Sequence, residues 1–571
     1  MEQYPIWPNL PAMIFALART WPDRPMLRAF RDGAWHGVTW GEFGRMAASC
    51  ARHLRGAGVS PGHRVVIVSE NRPEYPVAET ALMAIRAVPV PTYVTNTVAD
   101  HAHVLHDSGA RAVIVSTPAL AGTLREAGRL ADGLDLLVVM DGPPEDAGGS
   151  PRLMHWSALV ADTAPPDDVA LQAAAIGGST LACLIYTSGT GGAPKGVMLP
   201  HRSILSNCRG AFELLRPLRL CDEVYLSYLP ISHSYEHTVG LFFLPSIGTE
   251  IVYSRGVEHL AADMLAVRPT ILTAVPRVLE VIRARILAQV ARQPPWRQRL
   301  FRHALGLGLK SLDHRQLSLG EHLLDLSLDR LVRARVRSRF GGRLKAVMSG
   351  GARLEPDVGR FFLALGLSLM QGYGQTEAGP VISANPPDAI RIDTVGRPLQ
   401  GVDLRIAADG EILVHGDLVM DGYWGLPDAT MQAIRDGWLH TGDIGALDDA
   451  GYLRITHRKK DLLVLSGGEN VSPAKVEGML MAEPEIAQAV VAGDGRSSLT
   501  ALVVPADGCD DMAIALAVDR VNLRLSITER IRRHAIVAPF TVENGLLTPT
   551  QKIRRMLVIR ANREALAKSQ A

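Results

Sequence analysis

Short apolar runs alternate with amphipathic segments along much of the chain. Strands are predicted for the β-branched runs "RVVIVSE" (64–70), "VPVPTYV" (88–94), "RAVIVST" (111–117), "LDLLVVMDG" (134–142), "EVYLSYLP" (223–230), "TEIVYS" (249–254) and "PTILTAVP" (269–276). Between the first two, "RPEYPVAETALMAIRA" (72–87) has the pattern of a helix. Strands interleaved with helices predict parallel sheets covered on both faces, so we expect an α/β fold.

The pattern changes in the second half of the chain. Residues 283–343 are rich in arginine and have helical periodicity, whereas shorter, hairpin-like strands such as "EILVHG" (411–416) indicate a small β-rich subdomain at about 395–457. After "HRKKD" (457–461) a last α/β stretch is predicted to be a separate small domain. We therefore expect a large N-terminal domain over 1–457, a hinge at 458–461 and a mobile C-terminal α/β domain over 462–571.

The composition is that of a globular enzyme. Of 571 residues, 47% are hydrophobic and 21% are charged, and the formal net charge is +2. The chain is therefore too apolar for a disordered protein and has no electrostatic signature of nucleic-acid binding. Five scattered cysteines without a CxxC pair argue against a disulfide framework and a zinc site. The N-terminal stretch lacks the basic region of a signal peptide, and the longest apolar run, "VGLFFLPSIG" (239–248), is too short to span a bilayer. We expect a cytoplasmic protein.

The stretch "YTSGTGGAPKGV" (186–197) combines glycines with hydroxyl side chains and a lysine. A P-loop is excluded because Pro194 precedes the lysine, Gly196 follows it in place of Ser or Thr, and a strand-like run continues where a helix should begin. Glycines let backbone N–H groups close around oxyanions, hydroxyls add donors, and lysine neutralises charge. Only 8 of the 60 basic residues are lysines, and the two cations are not chemically equivalent. We predict that this loop holds a triphosphate.

Four more stretches follow in order: "GYGQTE" (372–377), "TGDIG" (441–445), "HRKKDLLVLSGGENVSP" (457–473) and "TPTQKIRR" (548–555). With the loop, they resemble the signature set of the adenylate-forming superfamily, which includes acyl-CoA synthetases, luciferases and peptide-synthetase adenylation domains. The sequences of the last two stretches are most similar to those of the bacterial long-chain fatty acyl-CoA synthetases. The resemblance covers essentially the whole chain. It implies a two-step ligase, in which ATP and a carboxylate give an acyl-adenylate and pyrophosphate, and coenzyme A then displaces AMP.

The resemblance also implies which residues bind the nucleotide. The β- and γ-phosphates would be held by Thr187, Ser188, Gly189, Thr190, Gly191, Gly192 and Lys195. Adenine would be sandwiched by Gly350, Gly351, Ala352, Tyr373 and Gly374. Asp443 would take the ribose hydroxyls, because a carboxylate accepts from both, and Arg458 would lie beside the ribose and phosphates. Mg²⁺ would be bound by Glu377 and Thr190.

Further residues are assigned to the reaction itself. Thr376 would touch the α-phosphate, Glu377 would act through Mg²⁺, and Lys552 would bridge carboxylate and α-phosphate in the transition state. His233 in "LPISHSYEH" matches the position that borders the carboxylate pocket, and a buried histidine that only satisfies a hydrogen bond is the alternative.

The resemblance implies a conformational change between the two steps. Lys460 matches the hinge residue at which the small domain rotates, withdrawing Lys552 and presenting Gly467 and Gly468 to coenzyme A.

Two positions depart from the family pattern. The loop has Thr190–Gly191–Gly192 where Thr-Thr-Gly is usual, so one hydroxyl donor is missing, and His457 stands where the closest branch often has aspartate.

Several alternatives stay open. A ligase that loads a carrier protein usually carries an insertion near the hinge, and none is seen between Ile455 and Pro473. A ligase for an aryl or shorter acid is a second alternative. A silent ATP-binding protein is a third, but it should have lost Lys552, Glu377 or Asp443.

The remaining expectations concern binding partners and contact with a membrane. The expected partners are a fatty acid, ATP and coenzyme A, without nucleic acid. Residues 283–343 are interpreted either as a solvated helical pair, which the charges favour, or as a peripheral contact with the inner face of the membrane. The sequence gives no basis for an oligomeric state.

Overall fold

The computed structural model describes residues 3–142, 150–187, 193–313, 317–459, 463–466, 469–548 and 553–568. Across these ranges, none of the helices combines the length and the apolar character needed to traverse a lipid bilayer.

The N-terminal part contains the first parallel sheet. Its elements are α1 (Leu10–Thr20), β1 (Pro25–Arg31), β2 (Ala34–Thr39), α2 (Trp40–Gly56), β3 (Arg64–Val68), α3 (Glu74–Ala84), β4 (Val88–Thr92), α4 (Val98–Ser108), β5 (Ala112–Val115), α5 (Pro118–Leu130), β6 (Leu136–Val139), β7 (Arg152–His155), α6 (Trp156–Leu159) and α7 (Asp167–Ala174). The sheet runs β4-β3-β5-β6-β7 with parallel pairing throughout. The central strands β3, β5 and β6 are buried on both faces, which explains their continuous β-branched and leucine runs.

The middle of the chain contains a separate hairpin, formed by its first two strands, and most strands of a second, larger sheet. Its elements are β8 (Leu181–Thr187), β9 (Lys195–Pro200), α8 (His201–Leu215), β10 (Val224–Ser227), α9 (Ser234–Thr238), α10 (Leu244–Ser246), β11 (Glu250–Tyr253), α11 (Leu260–Val267), β12 (Ile271–Ala274), α12 (Pro276–Ala291), α13 (Pro295–Leu312), α14 (Leu319–Leu328), α15 (Ala334–Ser338), β13 (Ala346–Ser349), α16 (Pro356–Ala364), β14 (Leu369–Gly374), β15 (Val381–Ala384) and β16 (Arg397–Pro398). A π-helical turn, Val239–Phe243, joins α9 to α10, and a second, Asp329–Arg333, joins α14 to α15.

This second sheet runs β16-β15-β14-β13-β12-β10-β11-β1-β2. Its centre is parallel, and both edges are antiparallel because β1–β2 is a hairpin and β14, β15 and β16 meander. The carboxyl ends of β10, β12 and β13 therefore lie on one edge of the sheet, where β14 leads into residues 375–377.

The β-rich subdomain follows. Its elements are β17 (Asp403–Ile406), β18 (Glu411–His415), β19 (Gly422–Tyr423), α17 (Pro427–Ala433), β20 (Ile434–Arg435), β21 (Trp438–Leu447) and β22 (Leu453–Arg458). The sheet runs β17-β18-β21-β20, and β22 pairs with β21. The exception is β19, which pairs with β9 of the β8–β9 hairpin instead and so connects the subdomain to the strands that flank the predicted phosphate loop.

The last part is a small α/β domain. Its elements are β23 (Leu463–Val464), β24 (Asn470–Val471), α18 (Pro473–Met481), β25 (Ile486–Ala492), β26 (Leu499–Pro505), α19 (Asp511–Asn522), β27 (Ile531–Ile536), α20 (Arg555–Ala561) and α21 (Arg563–Lys568). The sheet β25-β26-β27 has its own core, which includes Val476, Val491 and Val503. The predicted α/β class, with a large N-terminal and a smaller C-terminal domain, agrees with this architecture.

Candidate active site

Most of the described residues of the predicted site line one cavity of about 590 Å³. The predicted residues that line it are Thr187, Lys195, His233, Gly350, Gly351, Tyr373, Gly374, Thr376, Glu377 and Arg458. Motifs far apart in sequence therefore meet at the edge where the parallel strands of the second sheet end. Several predicted residues lie outside the described ranges: Ser188, Gly189, Thr190, Gly191, Gly192, Lys460, Gly467, Gly468 and Lys552.

Lys195 and Glu377 flank the ring and hydroxyl of Tyr423. Thr187 and Lys195 are cross-strand partners at the end of the β8–β9 hairpin where the predicted loop connects the two strands. The Lys195 Nζ lies 4.9 Å from the centroid of the Tyr423 ring, and the Tyr423 hydroxyl donates to Glu377 Oε1 at 2.9 Å. Burial, followed by the nearby Glu377 carboxylate, raises the pKa of Tyr423, so its hydroxyl remains a donor. The cavity thus presents a cation and a carboxylate that are oriented through one aromatic residue.

Thr376 is joined to the start of α9. Its hydroxyl lies 2.9 Å from the Ser234 hydroxyl, and either group could donate. His233, the N-cap of α9, accepts the backbone N–H of Tyr235 at Nδ1 over 3.3 Å and also lines the cavity. The "LPISHSYEH" segment therefore supports the Thr376 side of the cavity, and His233 combines a capping role with its position at the wall.

Two glycines are closely packed around the predicted adenine site. A Cβ added to Gly350 would lie 3.3 Å from the Tyr235 ring, and one added to Gly374 would collide with the Pro380 backbone. The tight β14–β15 pairing leaves Gly374 on the cavity wall. Ala352 directly follows Gly351. It is exposed and is not among the residues that line the cavity.

Asp443 connects Tyr373 with Arg458. Its Oδ2 accepts the Tyr373 hydroxyl at 2.6 Å, and its Oδ1 accepts the Arg458 Nε at 3.1 Å. Asp443 and Arg458 are cross-strand neighbours on β21 and β22, which explains how two separate motifs come together. Burial and the adjacent Asp443 carboxylate raise the pKa of Tyr373. The buried carboxylate thus positions an aromatic ring and a cation that both line the cavity.

A polar network next to this pair was not predicted. Glu411 accepts the Gly442 N–H at 3.0 Å, His440 Nδ1 at 3.2 Å and Lys459 Nζ at 3.1 Å, and Lys459 also donates to Asp409 at 2.6 Å. Burial alone would raise the pKa of Glu411, but the hydrogen bonds from His440, Lys459 and Gly442 outweigh it and hold that pKa below its ordinary value. The network fixes the residue directly before the predicted hinge residue to the β-rich subdomain.

Part of the cavity wall is apolar. It is lined by Val239 and Phe243 of the π-helical turn, Leu244 of α10, and Leu214 and Leu215 of α8. The other residues of the π-helical turn, Gly240, Leu241 and Phe242, are buried. An apolar chain therefore has a surface to pack against in the same cavity as the charged groups.

A buried carboxyl lies behind the wall of the cavity. Glu236 accepts the Tyr225 hydroxyl at Oε2 and the Ser227 hydroxyl at Oε1, both at 2.6 Å, and the Thr273 hydroxyl lies 3.3 Å from Oε2. Tyr235 and Thr273 line the cavity itself. Burial raises the pKa of Glu236 to about 7, against the opposing effect of these hydrogen bonds.

Sequence reasoning missed Tyr423, Ser234 and the Glu411 network. The contacts of Tyr423 depend on its pairing across β19 with β9, and those of Glu411 on the register between β18 and β21. One signal could have pointed to Glu411. It is a charged residue at the start of an otherwise apolar strand, two residues after Asp409, and it is buried in the structure.

Known protein families match most of the chain. A family model described as AMP-binding enzyme matches residues 14–424, and one described as AMP-binding enzyme C-terminal domain matches residues 460–567. A protein of Mycobacterium bovis named Long-chain-fatty-acid–CoA ligase FadD15 is 32% identical over 588 aligned residues, which cover 96% of this chain and 95% of that protein. Long chain acyl-CoA synthetase 6, peroxisomal, of Arabidopsis thaliana is 29% identical, with 95% and 86% covered.

Solved structures share the fold. The anthranilate CoA ligase AuaEII in complex with anthranoyl-AMP superposes with a TM-score of 0.75 at 20% identity, with 99% of both chains covered. O-succinylbenzoate coenzyme A synthetase (MenE) from Bacillus subtilis in complex with AMP gives a TM-score of 0.71 at 21% identity, with 96% and 97% covered. These likenesses confirm the predicted fold class.

Proposed function

The chain belongs to the AMP-binding enzyme family, and we propose that it is an AMP-forming ligase that joins a long-chain fatty acid to coenzyme A. The predicted membership of the adenylate-forming superfamily is confirmed by the family models and by the relatives that match over nearly the whole chain. The proposed acid and acceptor are supported by the names of relatives from bacteria, plants and mammals.

The observation that carries the proposal is a single cavity whose wall has both polar and apolar residues. Its polar residues include Lys195, Thr376 and Glu377, and its apolar residues include Phe243 and Leu244. A fatty acid whose chain packs on the apolar residues would have its carboxylate in the same cavity as the nucleotide. Such placement brings two anions together, and cationic and N–H groups then lower the barrier through alignment and charge stabilisation.

The polar residues of the wall fit ATP. Lys195 would supply a point charge for the phosphates, and Gly350 and Tyr373 both line the cavity in which adenine would lie. Asp443 is buried behind this wall, and the carboxylate oxygens that accept Tyr373 and Arg458 have further lone pairs that would accept ribose hydroxyls. Glu377 Oε1 is held by Tyr423, so that a hard oxygen donor is oriented at the cavity wall. Glu377 would hold Mg²⁺ together with the predicted Thr190, and the bound ion would supply charge neutralisation at the phosphates.

The proposed reaction has two balanced steps. In the first, a carboxylate oxygen of the acid bonds to the α-phosphorus while the bond from this phosphorus to pyrophosphate breaks. In the second, the coenzyme A sulfur bonds to the acyl carbon, the bond to the AMP oxygen breaks, and the thiol proton is released. Lys552 would act in the first step only, as a cation between carboxylate and α-phosphate.

The domain division belongs to the same proposal, with a large domain over 1–457, a hinge at 458–461 and a mobile domain over 462–571. The bonds from Lys459 to Asp409 and Glu411 support a pivot at the next residue, Lys460, because they fix the chain up to that point. We also include contact with a membrane through residues 283–343, since long-chain acids partition into bilayers.

The test is a substrate panel. Purified protein is incubated with ATP, Mg²⁺ and acids from acetate to oleate, with and without coenzyme A, and release of AMP and pyrophosphate is followed. We expect coenzyme-A-dependent AMP formation that peaks with palmitate or oleate. A peak at short or aromatic acids would refute the proposed acid, and pyrophosphate release indifferent to coenzyme A would refute the proposed acceptor.

A further inference from the structure

Helix α14 exposes a stripe of leucines. Leu319, Leu323 and Leu326 are 86%, 70% and 64% exposed, respectively. Their spacing of four and three residues places them on one face of the helix. On a helix that only met water, this face would be polar.

The inward face of α14 carries charges instead. Glu321 accepts Lys310 Nζ of α13 at 2.6 Å, and Asp325 accepts Arg333 at 2.6 Å. The same arginine is buried and donates to the Ala304 carbonyl of α13 at 2.7 Å. Apart from the buried Leu328, α14 is thus held to the protein by ion pairs while its leucines point to the surface. This arrangement reverses the usual amphipathic pattern of a surface helix.

The segment that carries the stripe is strongly basic. The remaining acids of this segment are also paired, Asp329 with Arg337 and Asp313 with Arg360. A set of exposed arginines on α13, α14 and their flanks makes no ion pair with any residue in the described ranges: Arg292, Arg297, Arg299, Arg302, Arg330 and Arg335. The exposed Trp296 at the start of α13 stacks under Arg297, whose guanidinium lies 5.0 Å from its ring centroid.

We propose that helices α13 and α14 form a docking surface for an anionic lipid bilayer, with the leucine stripe of Leu319, Leu323 and Leu326 inserted at the boundary of headgroups and acyl chains. A basic helix with an apolar face lies in the interface in this way, and arginines gain from nearby lipid phosphates. Trp296 has the amphipathic ring that favours the headgroup level.

A second copy of this chain fits the surface less well. A two-fold contact brings the same patch of both copies together, so the exposed arginines of α13, α14 and their flanks would be brought towards the same arginines of the other copy. Like charges opposed across an interface are unfavourable. Charge complementarity therefore selects the anionic bilayer as the occupant.

This inference deepens the proposed function, since it rests on a long-chain acid as the substrate that a bilayer would deliver. The test is nonetheless independent of catalysis, because binding to vesicles is measured without ATP, coenzyme A or added acid. Failure of acyl activation would leave the result of the vesicle-binding test unchanged. Failure of vesicle binding would likewise leave the result of the substrate panel unchanged.

The experiment is cosedimentation of the full chain with vesicles of phosphatidylcholine alone or with about 30 mol% phosphatidylglycerol. The perturbed variant combines Leu319→Ser, Leu323→Ser and Leu326→Ser. The matched control combines Leu130→Ser and Leu171→Ser, which change two equally exposed leucines on α5 and α7. Circular dichroism and thermal melting verify that both variants are folded.

We expect the wild type and the control to bind anionic vesicles, with at least about a tenfold weaker partition for the stripe variant. Raising the salt from about 0.1 M to about 1 M should weaken wild-type binding several-fold, because the arginine contribution is screened. Equal binding by the stripe variant, or no binding of the wild type, would overturn the proposal. Wild-type dimers in sedimentation velocity that dissociate in the stripe variant, without vesicle binding, would assign the surface to a second copy instead.

Discussion

Replacing the buried Glu236 by glutamine should change how stability depends on pH. Its carboxyl accepts the Tyr225 and Ser227 hydroxyls, and burial raises its pKa from the ordinary value of 4.5 to about 7. Glutamine has nearly the same shape, keeps one oxygen acceptor, and can donate to a hydroxyl in place of the second oxygen. It removes only the ability to ionise.

The sign follows from proton linkage. Because the folded state binds this proton more tightly than the unfolded state, the wild type loses stability as the pH rises from 4.5 to about 7, and no further loss occurs above that window. A shift of about 2.5 units at about 1.4 kcal/mol per unit gives a total of roughly 3 kcal/mol. Most of this, roughly 2–3 kcal/mol, falls between about pH 5 and about pH 8.

The melting temperature makes this difference measurable. With a specific unfolding entropy of about 2.1 cal/mol/K per residue and roughly 450 residues in the large domain, 2–3 kcal/mol corresponds to about 2–3 °C. Thermal melts of wild type and Glu236→Gln should therefore show the variant gaining about 2–3 °C on the wild type between about pH 5 and about pH 8. Glu126→Gln, at an exposed position of α5, is the control and should track the wild type. Parallel curves for wild type and Glu236→Gln would refute a buried carboxyl that titrates near neutrality.

Three substitutions address the site itself. Lys552→Ala should lower adenylation by about a hundredfold or more but leave thioester formation from supplied acyl-adenylate within a few-fold, as measured by single-turnover assays; equal losses in both steps would contradict its assigned role. Tyr423→Phe removes the donor to Glu377 and keeps the ring under the lysine, so the KM for MgATP should rise about 5- to 30-fold; an unchanged KM would show that this hydrogen bond does not orient the carboxylate. Ala211 lines the cavity near the apolar residues of α8, and Ala211→Trp should fill part of the space beside them. The preferred acid in the substrate panel should then become shorter. An unchanged preference would show that the acyl chain lies elsewhere.

The pattern of apolar residues predicted individual strands and helices well, because an element that is buried on both faces needs an almost continuous run of apolar residues. "RVVIVSE" contains β3, and "RPEYPVAETALMAIRA" contains α3. The same pattern does not state which strands share a sheet. The pairing of the β1–β2 hairpin with β11, which places N-terminal strands at the edge of the second sheet, depends on contacts between residues more than two hundred positions apart.

Most of the described residues that the motifs predicted lie on the cavity wall, since binding of phosphate, ribose and adenine would demand particular residue types. What they could not give are partners that arise from strand register. Tyr423 reaches Glu377 because β19 pairs with β9, and Lys459 reaches Glu411 because β21 pairs with both β18 and β22. The outward leucines of α14 were equally unpredictable, because helical spacing alone does not tell which face meets the protein.

The central claim is that the acid is activated as an acyl-adenylate, and isotope transfer tests it most directly. Palmitate labelled with ¹⁸O at both carboxylate oxygens is incubated with the protein, ATP, Mg²⁺ and coenzyme A, and the products are analysed by mass spectrometry. We expect AMP that carries one ¹⁸O and palmitoyl-CoA that retains the other, because one carboxylate oxygen bonds to the α-phosphorus and stays with it when the acyl–oxygen bond breaks. Unlabelled AMP, or label in inorganic phosphate together with ADP, would contradict it.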